Sequence, residues 1–356
     1  MKWTLSLALL LAACGGTDTT PTTEPAVEAP PAPEAVTVDR ARLAAFGTLP
    51  TAMESDSNPI TPEKVTLGRM LYYETRLSKN HDVSCNTCHG LDNYGVDSAP
   101  TSTGHKAQVG GRNAPTVYNA ASHIAQFWDG RSPDIEDQAK GPPLNPIEMA
   151  MVDAATIEAT LSSMPEYVAL FTTAFPGEEN PVTFDNMAKA IGAFERGLVT
   201  PDAFDAFQKG DDSAMTDAQK RGLNTFLEVG CTTCHSGPYL GGSSYQKLGM
   251  VMPWTDESDL GRMDVTKSEA DKLMFKVPGL RNIEKTAPYY HNGKVSTLDE
   301  AIKLMGTHQL GVELTDDQVK DMVSFMGALT GPLPTQYIAM PELPASTDAT
   351  PKADPN

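Results

Sequence analysis

Apolar positions through most of the chain recur at three- and four-residue spacing, and few stretches alternate apolar with polar over the length of a strand. Met187, Ile191 and Phe194 have helical spacing and close the first half with an apolar helix. Leu223, Phe226 and Leu227 share a face of a second helix, where Thr216 with Gln219 makes a capping box that fixes the start. Thr315 with Gln318 caps a third helix, which carries Val319, Met322, Val323, Met326 and Leu329. Long Gly- and Pro-rich loops separate the helices. The chain also repeats itself loosely. Gly68, Leu71 and Tyr72 lead into one pair of cysteines, and Gly222, Leu223, Phe226 and Leu227 lead into another. The pattern predicts a mostly α-helical protein in two halves, 39–200 and 201–340, divided around Thr200-Pro201.

With 356 residues the chain is long enough for two ordinary domains, each with its own core. Its net charge of −19 argues against nucleic acid as a partner. Most of that charge reads as a solvated acidic surface, one that also suits docking to a basic protein. The start has the pattern of an export signal over residues 1–13: Lys2 supplies a positive end, and Leu5 to Ala13 is an apolar run too short to span a bilayer. It ends in Leu11-Ala12-Ala13-Cys14, which resembles the lipobox of bacterial lipoproteins, so Cys14 is expected to carry lipid and anchor the protein to a membrane surface. Ordinary secretion with loss of Cys14 is the alternative. Gly15 after the cysteine fits sorting to an outer membrane, and the expected location is the periplasm. Residues 14–38, rich in Thr, Pro, Glu and Ala, read as a flexible tether, and 341–356 read as a disordered tail.

Cys85-Asn86-Thr87-Cys88-His89 and Cys231-Thr232-Thr233-Cys234-His235 both spell C-x-x-C-H, the attachment signature of c-type haem. Two thiols three positions apart lie on one turn, where they can form thioethers to two vinyl groups, and the following His is aimed at the iron. Zinc ribbons normally bring their cysteine pairs much closer together in sequence, and redox disulfides have no need of the His. An exported chain also fits, because c-type haem is attached outside the cytoplasm. The sixth iron ligand decides the chemistry: thioether sulfur raises the potential of a His-ligated haem, whereas a second imidazole keeps it lower. Met305 lies just before the last helix, where single-haem cytochromes c place such a ligand, although with sixteen methionines any one of them is by default a core residue. The first half has no methionine so placed. It offers His81, His105 and His123, and the residues alone leave all three open.

More specific runs follow in order: Gly104-His105-Lys106, Gly111-Arg112-Asn113-Ala114-Pro115-Thr116, Phe127-Trp128-Asp129-Gly130-Arg131, then Gln138, Pro142 and Glu148-Met149. Phe194-Glu195-Arg196 and Pro288-Tyr289-Tyr290-His291-Asn292-Gly293 complete the set. Over roughly residues 40–335 this sequence resembles the bacterial di-haem cytochrome c peroxidases. The resemblance implies two cytochrome c-like domains with the haems near their interface, and reduction of hydrogen peroxide with electrons from a small cytochrome c or cupredoxin. His89 would be the proximal ligand of the peroxide-reacting haem and His105 its removable sixth ligand. His235 and Met305 would hold the high-potential haem, with Trp128 on the electron route between the two. Glu148 and Gln138 would line the peroxide pocket. On their own Glu148 would be a surface carboxylate and Trp128 a core residue. Asn113, with the carbonyls of Thr286 and Pro288, would bind calcium, whose taste for amide and carbonyl oxygens it fits. A homodimer is implied as well. Two alternatives are a related di-haem oxidase that modifies a protein substrate, against which Met305 argues because that subtype uses Tyr there, and a plain di-haem electron carrier.

Overall fold

Twelve α-helices and one two-stranded antiparallel sheet form the main regular structure among the described residues. The computed structural model describes residues 35–356 together with Met1, so the expected export signal, Cys14 and nearly all of the tether lie outside the described residues. The first seven helices are α1 (Pro62–Tyr73), α2 (Cys85–Cys88), α3 (Ile135–Gln138), α4 (Gly141–Leu144), α5 (Ala154–Ser162), α6 (Pro165–Ala174) and α7 (Phe184–Glu195). They are followed by α8 (Ala203–Gln208), α9 (Asp217–Glu228), α10 (Met263–Thr266), α11 (Leu298–Met305) and α12 (Asp316–Ala328). Strands β1 (Tyr245–Lys247) and β2 (Met274–Lys276) pair with Gln246 opposite Phe275. No helix among the described residues is long and apolar enough to cross a membrane.

The capping signals start the helices where expected. Thr216 and Gln219 exchange hydrogen bonds at the head of α9, and Thr315 and Gln318 do so at the head of α12. Met187, Ile191 and Phe194 turn inward from α7 and are buried, each contributing roughly 1.5–3 kcal/mol. On α12, Val319, Met322 and Met326 are buried and Val323 is half-buried.

The loose repeat has a packing reason. Helix α1 crosses α7 at Gly68, where a β-carbon would lie 1.9 Å from the Ala190 carbonyl oxygen. Helix α9 crosses α12 at Gly222, where it would lie 1.9 Å from the carbonyl oxygen of Asp321. In both places only glycine lets the two backbones approach so closely. Around the first crossing Leu67, Leu71, Tyr72, Ile157, Phe171 and Phe194 form one core. Around the second, Phe46, Phe204, Phe207, Phe226, Val319 and Phe325 form another. A smaller cluster with Phe275, Tyr289, Tyr290 and Ala301 lies beside β2 and α11.

The expected boundary and the C-terminal tail both make specific hydrogen bonds. Thr200, at the expected boundary, is fully buried; its hydroxyl accepts hydrogen bonds from the amides of Asn119 (2.8 Å) and Asn282 (2.9 Å). The tail expected to be disordered from residue 341 instead lies along the first half. The Arg76 guanidinium donates to the Pro344 carbonyl and the Ser346 hydroxyl, both at 2.8 Å. The Thr347 hydroxyl donates to the Ser163 carbonyl at 2.9 Å, and Lys79 pairs with Asp354 at 3.4 Å. Its composition could not form a core alone, but the finished surface of the first half supplies partners for its polar groups.

Candidate functional site

Both C-x-x-C-H segments fold into the same tight turn. The backbone amide of His89 donates to the Cys85 carbonyl at 3.0 Å, and that of His235 donates to the Cys231 carbonyl at 2.9 Å. Ser84 and Thr87 cap the first turn, while Gly230, at φ 94°, swings the chain into the second. Each imidazole is then fixed by one carbonyl. Nδ1 of His89 faces the Gly95 oxygen at 3.3 Å, and Nδ1 of His235 faces the Leu240 oxygen at 3.1 Å. A proton donated from Nδ1 leaves the lone pair on Nε2, which is the form a metal ligand needs. Burial, the largest influence, holds both imidazoles below the ordinary histidine value, and the carbonyls oppose it. The donor set therefore fits two covalently held haems.

Beyond the turns the two sites differ. Cys231, Cys234 and His235 open onto a cavity of about 270 Å³ whose wall includes Met305. Met305 ends α11 where the chain passes into a π-helical turn, Gly306–Leu310. Turns of this kind recur at functional positions. Trp128, Asn113, Thr286 and Pro288 line the same cavity, as does His123. The tertiary structure thus brings His123, from the first half, into the wall of the cavity onto which the second attachment turn opens. The Trp128 indole donates to the Asn113 carbonyl at 2.9 Å, and the Asn113 amide donates to the Ala99 carbonyl at 3.0 Å, leaving its own oxygen as an acceptor.

His105 stands apart from this cavity. It is buried, and its Nδ1 has no hydrogen-bond partner among the described residues. Its backbone amide donates to the Glu148 carbonyl at 2.8 Å. Gly104 lies so close to the same strand of chain that a β-carbon would come within 2.3 Å of the Ile147 oxygen. The Gln108 amide adds a hydrogen bond to the Pro146 carbonyl at 2.9 Å. The loop that carries His105 is thereby seated on the segment that carries Glu148.

The Glu148 carboxylate is half-buried and accepts from the Asn145 amide at 2.9 Å. Burial raises its pKa, against the charge of Arg131 and the Asn145 hydrogen bond. The thiols of Cys85 and Cys88 are raised chiefly by burial, and the charge of Glu148 adds to that on both, which puts the carboxylate near the first attachment turn. Gln138 ends α3 and is half-buried, with no side-chain hydrogen bond among the described residues. His81 is half-buried at φ 54°.

Sequence reasoning gave His291 no role. It is buried, stacks on Phe275 at 4.3 Å, meets the Trp128 ring edge-on at 6.4 Å and accepts the Asn113 backbone N–H through its carbonyl at 2.8 Å. Its presence in the Tyr290-His291-Asn292-Gly293 run was the only signal. Lys276, buried in β2, had none.

Comparison with known proteins identifies the family. Residues 62–213 match the family model for di-haem cytochrome c peroxidases. Cytochrome c551 peroxidase of Pseudomonas aeruginosa is 47% identical over 305 residues, covering 84% of this chain and 87% of that protein. Cytochrome c551 peroxidase of Nitrosomonas europaea is 46% identical over 301 residues, covering 83% and 89%. Among solved structures, a MauG-like protein associated with microbial copper homeostasis superposes with a TM-score of 0.75 at 26% identity, over 82% of this chain and 97% of the other. With two matched attachment turns and this degree of likeness to its relatives, the chain belongs to the di-haem cytochrome c peroxidase family.

Proposed function

We propose that the protein reduces hydrogen peroxide to two waters at a haem held by Cys85, Cys88 and His89. The electrons come from a small cytochrome c or cupredoxin and enter at a second haem held by Cys231, Cys234, His235 and Met305. The observation that carries this reading is the difference between two otherwise equivalent turns. One faces a cavity with a thioether in its wall, and the other lies near a buried histidine and a carboxyl of raised pKa.

Haem iron, when bound, supplies the centre at which the O–O bond is broken and electrons are stored. The chain's own part is proton handling, access and geometry. Glu148, made easier to protonate by burial, takes a proton from one peroxide oxygen and returns it to the other, and Gln138 orients the peroxide. His105 closes the first site, and the hinge is the loop around it, which must leave its seat on Pro146–Glu148 before peroxide can enter. Trp128, tied to Asn113 and bonded through its carbonyl to Lys276, lies on the electron route between two cytochrome c-like domains. Asn113 and the carbonyls of Thr286 and Pro288, which line one cavity, suit a hydrated calcium ion.

Stopped-flow mixing of peroxide with the mixed-valence holoenzyme tests the activity, and two variants separate its parts. His105→Gly is expected to give a high-spin first haem and turnover without a pre-reduction lag, whereas Glu148→Gln keeps the opening and slows O–O cleavage. A lag and a low-spin first haem retained in His105→Gly would transfer the gate to another histidine. We further propose that the protein works in the periplasm as a homodimer anchored by lipid at Cys14. Labelled fatty acid should enter the wild type, and Cys14→Ser should move the protein to the soluble fraction. A wild type that is soluble and unlabelled contradicts the anchor.

A further inference from the structure

We infer that Lys276, set in a corner against His123, holds a propionate of the second haem. This rests on the reading that the second haem occupies the cavity beside His235 and Met305. Lys276 ends β2 with its side chain turned inward; the residue is only 8% exposed. Its ammonium lies 3.0 Å from Nδ1 of His123. For the ammonium to donate there, His123 must carry its own proton on Nε2, and Nε2 is buried with no partner among the described residues. The ring is held in place by close packing: a β-carbon on Gly242 would come within 2.1 Å of it, and Tyr239 meets it edge-on at 5.6 Å.

The ammonium therefore has the neutral ring of His123 as its acceptor and no partner of opposite charge among the described residues. No ion pair of Lys276 forms among the described residues, and burial alone acts on its pKa, drawing it down to about 8. No Asp or Glu lines the cavity. Arg281, the other cation in the wall, is already engaged by Asp205 (2.8 and 2.9 Å), by Asp202 and by the Pro238 carbonyl at 2.7 Å. A buried ammonium without a counter-charge is strongly unfavourable, so this one calls for an anion from outside the chain. A small ion from solvent would have to give up its hydration to enter this apolar space. A c-type haem brings two carboxylates on the molecule that fills the cavity. The corner also adjoins the electron route, because the backbone amide of Lys276 donates to the Trp128 carbonyl at 2.8 Å.

A cation against a propionate favours the reduced haem, so removing it should lower the potential. The test is a spectroelectrochemical titration of the holoenzyme, wild type against Lys276→Met and Lys276→Arg, with haem counted as pyridine haemochrome. In Lys276→Met the second haem's reduction equilibrium is expected to fall at least tenfold, which for one electron is about 59 mV. Lys276→Arg should restore most of it, and the first haem should hold its potential. An unchanged second potential in a protein with two haems overturns the corner alone, and so does a shift confined to the first haem. A wild type with one haem overturns the reading beneath it. If Lys276→Met fails to mature, the crystal structure of the wild-type holoenzyme decides: a propionate oxygen within hydrogen-bond reach of the Lys276 ammonium upholds the corner, and an ammonium facing only protein or water refutes it.

Discussion

Gly104→Ala should unseat the loop that carries His105. In the closed arrangement a β-carbon at this position would lie 2.3 Å from the Ile147 oxygen, 2.6 Å from the Glu148 oxygen and 2.7 Å from the Glu148 α-carbon. All three are backbone atoms, so no side-chain rotation relieves the clash, and the loop must lift. Overpacking of this kind costs about 1–3 kcal/mol. Two hydrogen bonds across the joint, His105 to Glu148 at 2.8 Å and Gln108 to Pro146 at 2.9 Å, hold the loop down. At about 0.5–1.5 kcal/mol each they amount to roughly the same energy. One methyl group should therefore come close to cancelling the seat and raise the open-to-closed ratio by about 5–150-fold. EPR of the fully oxidised holoenzyme reads this as conversion of the first haem from low-spin to high-spin, and stopped-flow mixing reads it as a shorter pre-reduction lag. Normal thermal stability with an unchanged low-spin signal and an unchanged lag would show that closure is not held at this joint.

Other outcomes follow from single groups. Met305→His should lower the potential of the second haem and abolish its thioether-to-iron absorption band, since an imidazole replaces sulfur; a potential that stays put assigns the ligand to another methionine. Glu195, 3% exposed, has its carboxyl pushed up to about 8, by burial first and by Glu136 next, against the opposing charge of Arg196. The folded protein then keeps a proton that the unfolded chain releases near 4.5, so this group's contribution is fully present below that pH and is lost as pH rises towards 8. Glu195→Gln should leave Tm nearly unchanged at pH 4 and raise it at pH 8, flattening the decline seen in wild type; parallel Tm profiles for the two proteins would mean that Glu195 is not protonated in the native state.

The chemistry of attachment and the main helices were determined locally. Two thiols and a histidine must sit on one turn to hold a haem, so C-x-x-C-H carries its function in five consecutive residues. Capping boxes at Thr216 and Thr315 likewise depend on atoms three residues apart, and α9 and α12 begin where those residues say. The apolar spacing of Met187, Ile191 and Phe194 fixed the buried face of α7, but not its partner. That partner was chosen at Gly68, where two backbones meet across more than a hundred residues of chain. The same limit hid the corner formed by His123 and Lys276, which are 153 positions apart. Neither residue lies in a pattern, and a lysine in a strand reads as solvated until the fold removes water from it. The composition of 341–356 suggests disorder for the same reason. The order of this tail comes from Arg76, Lys79 and Ser163 on a surface that exists only after the first half has folded. Spacing reveals interactions that close within a turn or two of chain, and tertiary structure alone decides which distant groups share a space without water.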